Sequence, residues 1–316
     1  MTPLAVQQRR FAWLCITPTF VLFTLWVAWP ALKGFYLSLT RWDGLSEPVF
    51  VGIQNFTEMW EAIGNPEAGA SARMFTTAIR NNLILIFFPM VLILSLSLFF
   101  ASALRGQIRG ASLFRVAFFF PNILSSVAIS VLWMLLYSTS GFGVFNNLLG
   151  QINQLLLGWG ITAEPFFKVP FAFTASKILA WSLIPMIVWA ATGFYMLLFL
   201  AAMQSIPETL YEAARVDGAS PFVQFRHITI PMIWDTLVTG MVFLLLAGLK
   251  LFDPVWVFEQ QQPRPDSNTM ATLMYSKVFN EYLMGTGTAI AVILFLLVLL
   301  CTLGTLRLYR REALEY

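Results

Sequence analysis

A chain of 316 residues that is 58% hydrophobic and only 11% charged, with a mean hydropathy of +0.74, is too apolar for a soluble domain and reads as a polytopic membrane protein. Its net charge of +3, from 19 Lys and Arg against 16 Asp and Glu, is read as membrane topology and excludes a nucleic-acid footprint. His227 is the only histidine and there are two cysteines, so no metal-binding spacing exists.

A bilayer core about 30 Å thick needs about 20 apolar residues in helix. The first such window runs from Phe11 to Leu32. It follows Arg9 and Arg10, is too long for a secretory h-region and lacks a small-x-small site before Trp29-Pro30, so it is expected to remain as an uncleaved first span. Cys15 falls inside it and Cys301 inside the last span, and both are expected to be small apolar core filler. From Lys33 to Arg80 a long polar loop carries the turn signal Trp42-Asp43-Gly44 and a half-apolar stretch, Gln54 to Ile63, expected to lie as a surface helix.

Spans two, three and four are expected over Leu83–Leu104, Val116–Tyr137 and Ile178–Met203. Pro89, Pro121 and Pro185 interrupt them, so kinks are expected there, with gating as the stronger reading. Between spans three and four, Val144 to Leu149 and Ile152 to Leu157 suggest either a helix at the interface or a loop packed on the bundle. Span five, Ile233 to Leu249, has Asp235 near its start and Lys250 just beyond its end, where both charges can reach the interface. Span six is expected over Tyr282–Leu306, completing an all-α membrane protein of six transmembrane helices.

Basic residues set the orientation. With the amino terminus inside, the inner segments hold Arg9, Arg10, Arg105, Arg109, Arg115, Arg215, Arg226, Arg307, Arg310 and Arg311. The remaining bases lie in outer loops about twice as long, which weigh little in the positive-inside rule, so both termini are expected to be cytoplasmic.

The connector between spans four and five is the most informative run. Ser205 with Glu208 has the spacing of a capping box and Pro207 suits a first turn, so a helix is expected from Ile206. Ile206, Leu210 and Ala213 share one face; Glu208, Glu212 and Arg215 share another. Gly218 offers a positive φ to end this helix, Ser220-Pro221 starts a second that carries Phe222 and Phe225 on one face, and Ile230-Pro231 is expected to end it. From the residues alone, a well-capped connector explains this run as well as a docking knob does.

The same residues resemble the signature loop of permease subunits of binding-protein-dependent ABC importers. Glu212-Ala213-Ala214, then Gly218, then Ile228-Thr229-Ile230-Pro231 fit that family's pattern, with Ile230 in place of Leu and Asp235 where many members have a second Pro. Tyr36-Leu37-Ser38-Leu39-Thr40, Trp42-Asp43-Gly44, Phe50 to Phe56, Phe119-Phe120-Pro121, Asn146-Asn147-Leu148-Leu149 and Phe252-Asp253 resemble the carbohydrate branch, similar to the disaccharide (maltose) and glycerol-phosphate permeases and to the first of their two permeases. After Phe258, that branch's Gly-Gly-Pro turn is replaced by Glu259-Gln260-Gln261-Gln262-Pro263.

The resemblance implies a type I ABC importer permease fold with cytoplasmic coupling helices: one membrane domain over 1–316, a family core over 76–308 and a coupling loop over 205–231. It implies ATPase coupling through Glu212, Ala213, Ala214, Asp217, Gly218, Ile230 and Pro231. The implied partners are a second permease subunit in a heterodimer, two ATP-binding subunits, an extracytoplasmic solute-binding protein and the lipid bilayer. The expected location is the cytoplasmic (inner) membrane of a bacterium or archaeon, and no cofactor is implied. The chain has no G-x-x-x-x-G-K motif followed by Ser or Thr, so ATP hydrolysis falls to a partner.

Sugars are held by aromatic faces and hydroxyl-binding polar groups, which makes Asn122, Ser126, Trp181, Trp189, Lys250 and Asp253 candidates for the solute path. Packing or interfacial anchoring explains the tryptophans equally well. Competing classes are an importer of a non-sugar solute, an ion-driven secondary transporter, an ABC exporter domain and a membrane scaffold. The five clear spans hold no ionisable residue, which argues against ion drive, and the Glu-Ala-Ala loop argues against an exporter.

Overall fold

The computed structural model describes residues 3–64, 70–106, 110–162 and 164–308, so the expectations attached to Arg109, Arg310 and Arg311 lie outside the described residues. Helix α1 (Pro3–Phe23), a π-helical turn at Thr24–Ala28 and α2 (Trp29–Leu37) form the first long helix. Thr17 and Thr24 donate their hydroxyls to the carbonyls of Trp13 and Phe20, so neither presents an unpaired donor to an apolar solvent. Cys15 is exposed here, which corrects its reading as core filler; Cys301 is half-buried. None of the long helix's apolar window is buried, and its last turns reach the bundle, where Phe35 meets Phe295 edge to face with ring centroids 5.6 Å apart.

A two-stranded antiparallel ribbon, β1 (Thr40–Arg41) with β2 (Val49–Phe50), flanks the Trp42-Asp43-Gly44 turn, where Asp43 Oδ1 accepts from the amides of Leu45 and Ser46 at 3.0 and 2.8 Å. Helix α3 (Gln54–Gly64) follows, as expected, and buries Met59 against Phe75, Met270 and Ile290. Asn55 ties it to the ribbon by donating to the carbonyls of Ser38 and Thr40.

Helix α4 (Ala70–Arg105) continues through Pro89. The third expected span is two helices, α5 (Ala111–Ile123) and α6 (Ser126–Leu136), bent by 98° at a break. The interruption expected at Pro121 within Val116–Tyr137 is thus a full break of the helix, a few residues beyond the proline. The break falls after Pro121, at Leu124 and Ser125, which take extended backbone; Ser125 caps α6 by accepting from the Ala128 amide. Helix α7 (Val144–Gly158) merges the two short stretches expected there, and its Asn146 and Asn153 each exchange paired hydrogen bonds with backbone of the following loop, at Phe171 and Phe167.

Helix α8 (Leu179–Gln204) is the buried axis and also passes unbroken through its proline, Pro185. Phe199, Met196, Leu183 and Met203 on it are fully buried. At Gly193 any Cβ would collide with the Phe118 carbonyl, so only glycine lets α5 pack this closely. Next come α9 (Glu208–Val216), α10 (Pro221–Gln224), a π-helical turn at Phe225–Thr229 and α11 (Ile230–Met232). The chain closes with α12 (Trp234–Leu249), α13 (Asp253–Phe258), α14 (Met270–Tyr275), a π-helical turn at Ser276–Asn280 and α15 (Met284–Leu308).

Five helical stretches among the described residues are long and apolar enough to cross a membrane, and the bent α5–α6 pair makes a sixth when counted as one span. Polar contacts sort the connections onto two ends. Arg105, which ends α4, pairs with Glu208, just beyond α8, so these helices run the same way. At the opposite end, Asn82 donates to the carbonyls of Gly248 and Leu249 and accepts from the Met270 amide, and Asn81 donates to Asp266 and Asn268. These buried asparagines satisfy carbonyls that the end of α12 leaves orphaned.

Candidate functional site

The connector from Gln204 to Trp234 begins differently from its sequence reading. The Ser205 hydroxyl turns back to the Ala202 carbonyl at 2.8 Å, Pro207 occupies the N-cap position, and α9 starts at Glu208 and not at Ile206. No capping box forms, because Pro207 takes an extended backbone and the Glu208 carboxylate is drawn elsewhere. Its Oε2 accepts from Arg105 at 2.9 Å and its Oε1 from Arg215 at 3.1 Å. The Arg105 guanidinium also lies 3.7 Å above the Tyr211 ring, a cation–π geometry. Tyr211 is buried, and its hydroxyl pairs with Thr229 Oγ1 at 2.8 Å.

One arginine at the end of α4 thus grips α9 by charge and by ring, while α9 grips the return segment by a buried hydroxyl pair. Each contact is worth about 1 kcal/mol in net terms, and the Glu208 pairs less because the carboxylate faces solvent. Together they fix the connector's orientation on the bundle.

Helix α9 ends as its glycine requires. Gly218 has φ +77, its amide reaches the Arg215 carbonyl at 3.1 Å, and the Ala219 amide reaches Ala214 at 2.8 Å, which are the paired bonds of a Schellman motif. Ser220 then caps α10 by accepting from the Val223 amide, with Pro221 at the first helical position. One expectation fails beyond it. The helical path runs through Ile230-Pro231 and breaks at Ile233, since a proline in a first turn of α11 costs no hydrogen bond. Phe222 and Phe225 line the same cavity beside α10, Phe225 packed on the core and Phe222 70% exposed.

Glu212, Ala213, Asp217 and Gly218 are exposed and Ala214 half-buried, with Ile230 and Pro231 half-buried on the return segment. Ala213 therefore leaves the packing face expected for it, and Tyr211 takes that place. Val216, 88% exposed, and Phe222 add two large apolar side chains to the free face, and a cavity of about 700 Å³ opens between α10 and the last turns of α4. The sequence reading missed Arg105, Tyr211 and Val216. Arg105 was counted only as a topology charge, and nothing local links it to a tyrosine beyond the next two spans.

The candidates for the solute path are partly gathered. Asn122 and Ser126, on either side of the α5–α6 break, line a cavity of about 280 Å³ with Met186, Ala190, Leu251 and Pro254. Lys250 and Asp253 are exposed and flank its Leu251. Trp189 precedes Ala190 on α8 and its ring lies 6.1 Å from that of Trp133, whereas Trp181 stacks near Phe88 at 4.7 Å, away from this cavity.

Comparison with known proteins adds independent findings. The "Probable ABC transporter permease protein" of Pyrococcus horikoshii is 32% identical over 92% of this chain and 92% of its own length. The trehalose/maltose transport system permease of Thermococcus litoralis is 28% identical over 98% and 97%, and the lactose transport system permease of Rhizobium radiobacter 28% over 83% and 80%. Among solved structures, a bacterial ABC transporter that imports the acidic polysaccharide alginate superposes with a TM-score of 0.75 over 98% of both chains at 20% identity. At that identity the likeness speaks for the fold, a type I importer permease. The model of one family, described as "Binding-protein-dependent transport system inner membrane component", matches residues 94–312, and the chain belongs to that family.

Proposed function

We propose that this chain is one permease of a heterodimeric pair in an ATP-driven importer that carries a carbohydrate across the cytoplasmic membrane. The observation that supports it best is the connector itself: a helix–turn–helix clamped to α4 and to its own return segment, with Glu212, Ala213, Val216, Asp217 and Gly218 presented to a partner. Two ATP-binding subunits would dock there, which makes this end of the bundle, with both termini, cytoplasmic. A solute-binding protein would deliver at the opposite end.

The chain carries no G-x-x-x-x-G-K motif followed by Ser or Thr, and ATP hydrolysis is assigned to the partner subunits. Closure of the ATPase pair favours one of two arrangements of the bundle, and a clamped connector passes that preference to α4, α8 and α12. Asn122 and Ser126 at the bent α5–α6 pair are the proposed solute contacts, with Trp189, Lys250 and Asp253 nearby and Trp181 further along α8. The carbohydrate reading leans on relatives described as trehalose/maltose and lactose permeases.

The test is solute-stimulated ATPase activity and uptake by the reconstituted assembly across a panel of sugars, polyol phosphates and amino acids. Stimulation by a saccharide, lost in Glu212→Lys, is the expected outcome. Stimulation only by a non-sugar would move the substrate class, and parental uptake with Glu212→Lys and Gly218→Pro combined would remove the docking role.

A further inference from the structure

Three non-glycine residues among those described have a left-handed backbone: Gln260 at φ 51, Gln261 at φ 66 and Tyr282 at φ 56. Strain of this kind persists only where surroundings enforce it, and it clusters at functional sites. All three fall around one place. The two glutamines line a cavity of about 650 Å³ between the end of α13 and the start of α15, and Tyr282 follows Glu281, which lines it too.

The strain is avoidable in principle. Helix α13 ends with the Gln260 amide on Val257 at 3.1 Å and the Gln261 amide on Trp256 at 2.8 Å, the same paired bonds that end α9 at Gly218. Glycine takes this position without steric cost. Here the chain keeps amide side chains instead, and both face the cavity.

The remaining lining joins aromatic rings and polar groups to the apolar Met74, Pro263 and Leu273. Trp256 and Tyr275 stand with ring centroids 4.6 Å apart, Phe252 stacks behind Trp256 at 5.2 Å, and Asn280 adds an amide, while the Asn268 amide is engaged within the protein by the Arg264 carbonyl and the Thr272 hydroxyl. Glu281 Oε2 is held by Lys277 at 2.7 Å, so the one carboxylate on the lining is balanced by a cation. Ser276, also on the lining, has a buried hydroxyl without a hydrogen-bond partner. Planar amides and a hydroxyl pair with sugar hydroxyls in donor and acceptor senses, and aromatic rings cover the apolar face of a pyranose. The absence of net charge favours a neutral sugar over an acidic one, and the volume is that of a small-molecule site.

We propose that this cavity is a neutral-saccharide subsite at the delivery end of the molecule, separate from the cavity at the α5–α6 break, occupied by the solute before it enters the bundle. The proposal rests on the carbohydrate reading above. Its test uses the assembled importer in lipid nanodiscs. Uptake with the binding protein first identifies which of maltotriose, cellotriose, lactose and trehalose is carried, and that sugar is the probe for saturation-transfer NMR without the binding protein.

The parental complex should transfer saturation to the probe, and Gln260→Gly with Gln261→Gly should reduce the transfer by about tenfold while the thermal midpoint stays level or rises. Equal transfer in the double variant, or none in a parental complex that carries the sugar, overturns the subsite and leaves the importer reading intact. Failure to carry any of the four, with a non-sugar stimulating the ATPase, overturns the carbohydrate reading and this inference with it.

Discussion

Two helices of this protein end in the same hydrogen-bond pattern, and they differ in the residue that bears its left-handed position. Helix α9 uses Gly218, which bears φ +77 without steric cost. Helix α13 uses Gln260 and then Gln261, which do not. The first end needs no side chain at its left-handed position, and the exposed Val216 and Asp217 stand just before it. At the second, amide side chains stand on the cavity lining despite a backbone penalty. The difference separates a mechanical element from a recognising one more clearly than charge or burial does.

The largest effect should come from breaking the mechanical turn. Gly218→Pro locks φ near −65° where +77° is needed, removes the amide that bonds Arg215, and pushes Asp217 away from its helical backbone. A local cost of about 3 kcal/mol or more is expected, and uptake in proteoliposomes should fall below detection while the ATPase subunits still turn over. Next is the clamp. Arg105→Ala deletes both the Glu208 pair and the cation over Tyr211, and the ratio of solute transported to ATP hydrolysed should drop about fivefold to tenfold for a loss of roughly 1–1.4 kcal/mol. Arg105→Lys should restore little, because an ammonium cannot both bridge the carboxylate and cover the ring.

A smaller effect of opposite sign is expected at the other helix end. Gln260→Gly with Gln261→Gly relieves two left-handed side chains but loosens the unfolded chain, leaving a net gain of about 1 kcal/mol. A thermal midpoint raised by a few degrees in detergent would mark the glutamines as retained for something other than stability; a lowered one would mean that their side chains hold the loop.

The same contrast explains what the sequence made legible. Six crossings, the surface helix after Gln54, the Gly218 turn and the Ser220-Pro221 start are each written in a few adjacent residues, because periodicity, positive φ and capping are local physics. The errors lie where a distant residue wins. Glu208 looked like half of a capping box until Arg105, a hundred positions earlier, took its carboxylate. Pro121 announced a kink in Val116–Tyr137, but not that the helix would break at Leu124 and Ser125 and turn by 98°. Asn81 and Asn82 pin the far end of the bundle to segments 166 to 188 residues away, which no local pattern marks. Of the solute candidates, Asn122 and Ser126 share a cavity because the break folds them together, whereas Trp181 is spent on Phe88.

The smallest effect tests a third turn that lies between these extremes, the Asp43 loop of the ribbon. Gly44 bears its left-handed backbone at φ +90, yet a side chain also holds the turn, through Asp43 Oδ1. Hydrogen bonds from the Ser46 hydroxyl, and then from the Ser46 and Leu45 amides, lower the carboxyl's pKa to about 2 from its usual 3.8. A folded-state value below the unfolded one means that the contribution is complete above pH 3.8 and is lost as pH falls through about 2. Hydrogen exchange at Leu45 and Ser46 should therefore keep its protection at pH 4 and lose it near pH 2, with Asp43→Asn flattening that dependence. Protection lost already at pH 4 would mean that Gly44 alone does not hold the turn and that the carboxylate is solvated, which would group this loop with neither helix end.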